Sequence, residues 1–324
     1  MALGTICLGI LSLFILVIVF RLHAFLSFII VSIGVGLAQG MQFTAVIESL
    51  QDGIGNTLGF LVLILALGAM LGKQVANSGA AQQISDSLFA VFGIKNTQWA
   101  VMLTGFIVGI TLFYSVGFVI LVPLVFTIAR STGLSLMSIG LPMLAALSVT
   151  HGFLPPHPAP SAIAVLFGAD IGLTLLYGLV VAIPAILISG PLLGRYLKKV
   201  EAKPLKEFLS TTHFQKDELP SLWNSILTAL LPVVLIGGAT LCKEIIAENH
   251  PLYRPITFLG NPVIALLIAV LVSIFSLGLL RGQTMKATMQ SFNESLTGIT
   301  SVLLIIAGAG GLKQILIDSG VSES

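Results

Sequence analysis

From Leu3 to Ile317 the chain is a succession of apolar runs, each long enough or nearly long enough to cross a bilayer. A hydrocarbon core about 30 Å thick takes roughly 20 apolar residues per helix. Leu3–Phe20, Ala24–Gln39, Thr57–Gly72, Leu134–Thr150, Ile171–Gly194, Leu222–Leu241, Phe258–Leu280 and Ile299–Ile317 meet or approach that length. A water-exposed surface cannot be built from the residues that remain. Only 9% of the 324 residues are charged, whereas a soluble domain carries about 25%. The expected fold class is therefore an all-α polytopic membrane protein, with the lipid bilayer as its first partner. The leading run has no preceding positive charge and no small-residue cleavage pattern, so it reads as a retained first span and not a signal peptide.

Other classes fall away on the same residues. A net charge of +2, with no dense basic patch, gives nucleic acid no foothold. Cys7 and Cys242 belong to different runs and read as small apolar residues, not a disulfide. No nucleophile–base pair, metal motif or nucleotide loop is present. We therefore expect no enzyme, no catalytic residue, no metal and no cofactor.

Two stretches do not behave as simple spans. Residues 98–130 are apolar throughout except for TLFYSVG, which leaves two arms of about fifteen residues, short for full crossings. A re-entrant hairpin with its tip at Thr111–Gly117 fits the arm lengths, and two tight spans are the alternative. In THGFLPPHPAP (150–160), Pro155, Pro156, Pro158 and Pro160 deny a regular helix. Irregular backbone at membrane depth is tolerated only inside protein or beside a water-filled cavity. We therefore expect a broken helix over 134–168, with a Pro-rich external loop as the plainer alternative. Its second piece, from about Ser161, should offer free N–H groups and a positive dipole end to an anion.

Candidate ligand-binding residues follow from the two interruptions. Thr111, Tyr114 and Ser115 place hydroxyls at the hairpin tip, and Thr150, His151, Gly152 and His157 stand at the broken helix. Histidine titrates near neutrality, which makes His151 and His157 proton-coupling candidates alongside Asp170. The position of Asp170 just before a span suits a helix N-cap better than a proton carrier. Two histidines and an aspartate without zinc-like spacing make a poor metal site. Thr44–Gly55 and Ala80–Phe92 are amphipathic and suit interfacial or packed positions, their acidic residues on solvated faces.

Charge sets the expected orientation, because cytoplasmic loops collect Lys and Arg. The loop 195–218 is rich in lysine and is placed inside, and the N-terminus then falls outside. Every lysine and arginine except Lys243, Arg254 and Lys313 lands on the cytoplasmic side in this topology. A repeat also appears, since residues 48–79 and 290–320 share an apolar, glycine-punctuated body, a Lys-Gln pair and a closing Ser-Gly. Their opposite orientations give an inverted repeat, the plan of many secondary transporters. The expected organisation is N-terminal spans over 1–40, a first repeat over 41–194 and a cytoplasmic linker over 195–220. Connecting spans over 221–280 and the start of a second repeat over 281–324 follow. Counterparts of TLFYSVG and THGFLPPHPAP are missing from that second repeat, so we expect a chain truncated at its C-terminus.

VTHGFLPPHPAP (149–160), GADIG (168–172) and LFYSVGFVILVPLVFTIAR (112–130) together resemble the gluconate permease family of bacterial proton-coupled symporters. The likeness runs on through TLGFLVLILALGAMLGKQVANSGAA (57–81) and LLIIAGAGGLKQIL (303–316). The resemblance implies proton-driven uptake of gluconate or a related sugar-acid anion across the inner membrane, on a fold of inverted repeats with re-entrant hairpins. Many family members carry an acidic residue where this chain has Ser115, which shifts any proton role towards a histidine or a residue outside this chain's motifs. A homo-oligomer is compatible with the sequence. The competing expectation is a non-transporting fragment, or an interaction subunit that needs a separate second-half chain.

Overall fold

The computed structural model describes residues 2–200 and 214–320. Among them the chain is helical throughout: α1 (Ala2–Phe14), α2 (Ala24–Ala38), α3 (Phe43–Asn77), α4 (Ala80–Phe92), α5 (Thr97–Gly109), α6 (Tyr114–Thr132) and α7 (Leu136–Phe153). These are followed by α8 (Pro158–Leu166), α9 (Ile171–Leu187), α10 (Leu193–Tyr196), α11 (Leu222–Ile245), α12 (Tyr253–Leu259), α13 (Pro262–Ser273) and α14 (Met285–Asp318). Among the described residues, six stretches are long and apolar enough to cross a membrane, including α3, α14 and the broken pair α7–α8. The chain is thus the all-α, multi-pass membrane protein that its hydropathy requires. Residues 201–213 of the polar linker lie outside the described residues.

Three boundaries differ from the sequence reading. Thr44–Gly55 is not a separate amphipathic piece, because it continues into the next run as the 35-residue α3. Gly53 lies against Gly310 and Gly311 of α14, so packing holds this stretch helical. Residues 285–298 are likewise continuous with the next run, as the first part of α14. The run 258–280 is instead divided, since the Asn261 side chain accepts a hydrogen bond from the Val263 N–H at 3.0 Å and caps α13.

The helices form two compact units, one of residues up to Leu63 with Thr297 onward, the other of Ile64–Leu296. In the first, the N-terminal half of α3 runs antiparallel to the C-terminal half of α14. A Cβ on Gly53 would lie 2.9 Å from the Gly311 Cα, so glycine sets how closely these backbones approach. In the second unit the remaining halves are joined by polar groups: Lys73 pairs with Glu294 at 3.2 Å, and the Asn77 amide donates to the Ser291 hydroxyl at 2.6 Å.

The order of contacts in this second unit fixes the directions of α5 to α9. Gln98 donates to the Ser138 carbonyl, Gly105 abuts Met143, and Gly109 abuts Leu147 and Thr150, so α5 and α7 run parallel. Gly117 abuts Leu147 while Gly140 abuts Val125, so α6 runs antiparallel to both. The chain therefore reverses between α5 and α6, at residues 110–113. Its first arm has 13 residues, about 20 Å at 1.5 Å per residue, short of a full crossing. The turn lies N-terminal to most of the expected tip, because Tyr114–Gly117 already belongs to α6.

Candidate functional site

Parallel packing carries the C-terminal end of α5 to the same level as the break after α7. That break, residues 154–157, lies below the protein surface. Gly178 of α9 is 2.9 Å, measured from where its Cβ would be, from both the Phe153 carbonyl oxygen and the Leu154 side chain. Gly178 is seven residues into α9, which starts at Ile171, so the break sits about 10 Å below that helix end. Two interruptions distant in sequence thus meet at depth.

His157 joins them. Its Nε2 lies 2.7 Å from the Gly109 carbonyl oxygen, with the side chain 5% exposed. A carbonyl can only accept, so Nε2 must carry the proton and the tautomer is set. Gly109 ends α5, and the carbonyls of a helix's last turn lack intrahelical donors. His157 therefore caps α5 from across the other break. His151 stands alongside with ring centroids 4.8 Å apart, and its Nδ1 is buried without a hydrogen-bond partner in the protein.

A cavity of ≈ 20 Å³ lies at this junction, walled by Leu65, Gly68 and Leu71 of α3, by Ile110, Thr111 and Phe113 of the reversal, and by Pro156 and His157 of the break. That volume holds about one water molecule. A six-carbon acid requires the walls to part.

Each end of the junction offers different donors. The sequence suggested free N–H groups from Ser161, but α8 already begins at Pro158, where proline's fixed φ suits the first turn. Pro158 and Pro160 have no N–H, and the Ser161 N–H is bonded to the His157 carbonyl at 3.1 Å. Only Ala159 is left as a donor in that first turn. The start of α6 is richer. Its preceding residue Phe113 supplies no side-chain cap, and Gly117 is the first N–H to bond back, to the Phe113 carbonyl at 2.9 Å. The N–H groups of Tyr114, Ser115 and Val116 therefore open the helix at its positive end.

The remaining candidates are dispersed around this core. Thr111 is buried on the cavity wall, its hydroxyl donating to the Val108 carbonyl at 3.1 Å. Tyr114 is half-buried and stacks on Phe118 with centroids 6.2 Å apart, and Ser115 is exposed. Thr150 is fully buried, with its hydroxyl bonded to the Ala146 carbonyl at 2.8 Å. Its side chain abuts Gly109 and does not line the cavity. Gly152 is exposed with open space around it. Asp170 is exposed and caps α9, Oδ1 accepting from the Leu173 N–H at 2.8 Å, the N-cap role its position suggested. Among the described residues, no three His, Cys, Asp or Glu side chains come together as a metal site.

Phe113 was not singled out from the sequence. Its ring lies 5.9 Å from His151 and 6.2 Å from His157, edge-on to each. An aromatic at a hairpin tip inside an apolar run carries no signal of its own, and only the meeting of the two breaks reveals it.

Comparison with known proteins places this architecture. Residues 1–324 match the model for GntP family permeases. The chain belongs to that family. It is a membrane transporter, not an enzyme. It is 48% identical over 324 residues to a high-affinity gluconate transporter of Escherichia coli strain K12, covering 100% of this chain and 74% of that protein. To the Gnt-II system L-idonate transporter of the same strain it is 46% identical over 315 residues, covering 97% of this chain and 72% of the relative. A gluconate permease of Bacillus subtilis strain 168 is 45% identical over 334 residues, covering 100% of this chain and 74% of that protein.

Proposed function

We propose that this permease takes up gluconate or a closely related sugar acid across the bacterial inner membrane, driven by the proton gradient. The observation that carries the reading is the bond from His157 to Gly109, which ties the two broken segments together below the protein surface. The names of the relatives, gluconate and L-idonate transporters, supply the substrate class. In this reading the substrate carboxylate meets the open N–H groups of Tyr114, Ser115 and Val116, where a helix dipole favours negative charge. The Ser115 hydroxyl adds a donor of its own there, and Thr111 and Tyr114 supply hydroxyl contacts to the polyol. Thr150, packed against Gly109, and Gly152, exposed beside the break, act indirectly by positioning the broken helix. His151 and His157 are the titratable groups nearest the carboxylate, and we assign proton coupling to them ahead of Asp170, which is engaged as an N-cap.

The antiparallel halves of α3 and α14 support an inverted-repeat plan for the domains, with the 195–218 loop cytoplasmic and the N-terminus external. Alternating access would then part the cavity walls towards one side at a time. The test is uptake of radiolabelled gluconate by cells lacking their own gluconate carriers. Saturable accumulation that collapses on adding a protonophore is the expected result. Insertion at normal levels without gluconate accumulation would overturn the substrate assignment, and accumulation indifferent to the protonophore would overturn the coupling.

A further inference from the structure

The cavity is walled by His157 and Phe113 but not by His151, although the two imidazoles are 4.8 Å apart. The Phe113 ring, which lines the cavity with His157, is edge-on to both imidazoles. Nδ1 of His151 is buried with no protein partner. An unpaired buried polar atom is destabilising, and it calls for a state in which a partner is met. The cavity meanwhile has room for about one water molecule, so any larger ligand must displace a wall. Leu65, Gly68, Leu71, Pro232 and Leu266 are held inside helices, whereas Phe113 lies in the reversal before α6, is only half-buried, and touches both imidazoles edge-on.

We propose that Phe113 is the gate of this cavity: its ring shuts Nδ1 of His151 away from the space lined by His157, and it swings aside as a carboxylate-bearing polyol arrives, so that this nitrogen gains the hydrogen bond it lacks when closed. The proposal rests on the sugar-acid reading above for the nature of the ligand, but not for the existence of the gate. It assigns Phe113 a positioning role, and it names Nδ1, not Nε2, as the His151 atom that meets substrate.

Two measurements on the full chain separate these layers. The first needs no substrate. In a Cys7→Ser, Cys242→Ser background, the thiol introduced by Thr111→Cys is labelled with a small methanethiosulfonate reagent, with Phe113 intact and with Phe113→Ala. A gate open in about a tenth of molecules or fewer slows labelling at least about tenfold, so Phe113→Ala should raise the rate by about that factor. Equal rates in the two proteins would overturn the gate, whatever gluconate does.

The second measurement is equilibrium binding of radiolabelled gluconate to purified protein. Closing the site reduces apparent affinity by the open fraction, so Phe113→Ala should bind up to about tenfold more tightly while its turnover falls, because occlusion is lost. A merely structural phenylalanine would give weaker binding and lower turnover together, and that pattern would also overturn the gate. His151→Asn places an amide near the position of Nδ1, and His151→Gln places one near Nε2. Binding retained by Asn and lost by Gln is expected, and the reverse would overturn the assignment of the atom. If labelling accelerates but no variant binds gluconate, the gate stands and the substrate class fails.

Discussion

His157 does two things that substitution can separate: it ties α5 to the break, and its ring can titrate. In His157→Ala the Gly109 carbonyl loses its 2.7 Å donor in a setting where the side chain was 5% exposed. Leaving that acceptor unpaired is destabilising by about 1–3 kcal/mol. The missing ring also leaves a void, and large-to-small truncations in well-packed sites typically range over about 2–5 kcal/mol. A total near 3 kcal/mol is a conservative sum, equivalent to more than a hundredfold change in an equilibrium at about 1.4 kcal/mol per tenfold. His157→Gln differs, because its terminal amide reaches the region of Nε2 and can donate to the same carbonyl, so its loss should stay under about 1.5 kcal/mol. At about 2 °C per kcal/mol for a large chain, thermal unfolding in detergent should show His157→Ala roughly 6 °C below the parent and His157→Gln within roughly 3 °C. Glutamine does not titrate, so uptake by His157→Gln would also lose its pH dependence if this ring carries the coupled proton. An alanine variant as stable as the parent would refute the argument that this bond joins the two breaks.

Further expectations follow from other contacts. Gly105→Ala would place a Cβ 2.8 Å from the Met143 carbonyl oxygen; neither backbone yields cheaply, so a loss of about 1–3 kcal/mol should appear as a lowered melting temperature. Asp170→Ala removes the α9 cap and should lose about 1 kcal/mol, whereas Asp170→Asn keeps the cap and should keep uptake; loss of uptake in the asparagine variant at normal stability would return Asp170 to the proton path. Lys73 and Glu294 are 30% and 57% exposed, so a double-mutant cycle should give a coupling of at most about 1 kcal/mol, weakening with added salt, and a larger value would show that the pair is shielded from water.

Much of this architecture is legible in the residues. The prolines of THGFLPPHPAP signal an interruption, and the break appears at 154–157 around Pro155 and Pro156, while Pro158 and Pro160 open α8. TLFYSVG interrupts an apolar run and the chain reverses there, although only the first arm, of 13 residues, is short and the second is a helix of 19. What sequence cannot show is that the reversal and the break share a level. That depends on α5 and α7 lying parallel through Gly105 and Gly109, glycines with no more to mark them than others in the chain. The hydrogen bond from His157 spans 48 positions and has no local signature, and Phe113 acquires meaning only beside it. The start of α8 was misplaced because proline was weighed as a helix breaker, although the first helical turn is where it is tolerated. The continuity of α3 was missed because its amphipathic first half reads as a separate piece, and the packing of Gly53 against α14 has no local signature.

The central claim is that one substrate is held by both breaks at once. Ser115→Cys and Gly152→Cys place a thiol on each side, at exposed positions where the added group meets little. Labelling of each, in the Cys7→Ser, Cys242→Ser background, would be measured against increasing gluconate. A shared site predicts that both thiols are protected with the same half-maximal concentration. Protection of one thiol alone, with the other labelled at full rate in saturating gluconate, would contradict it.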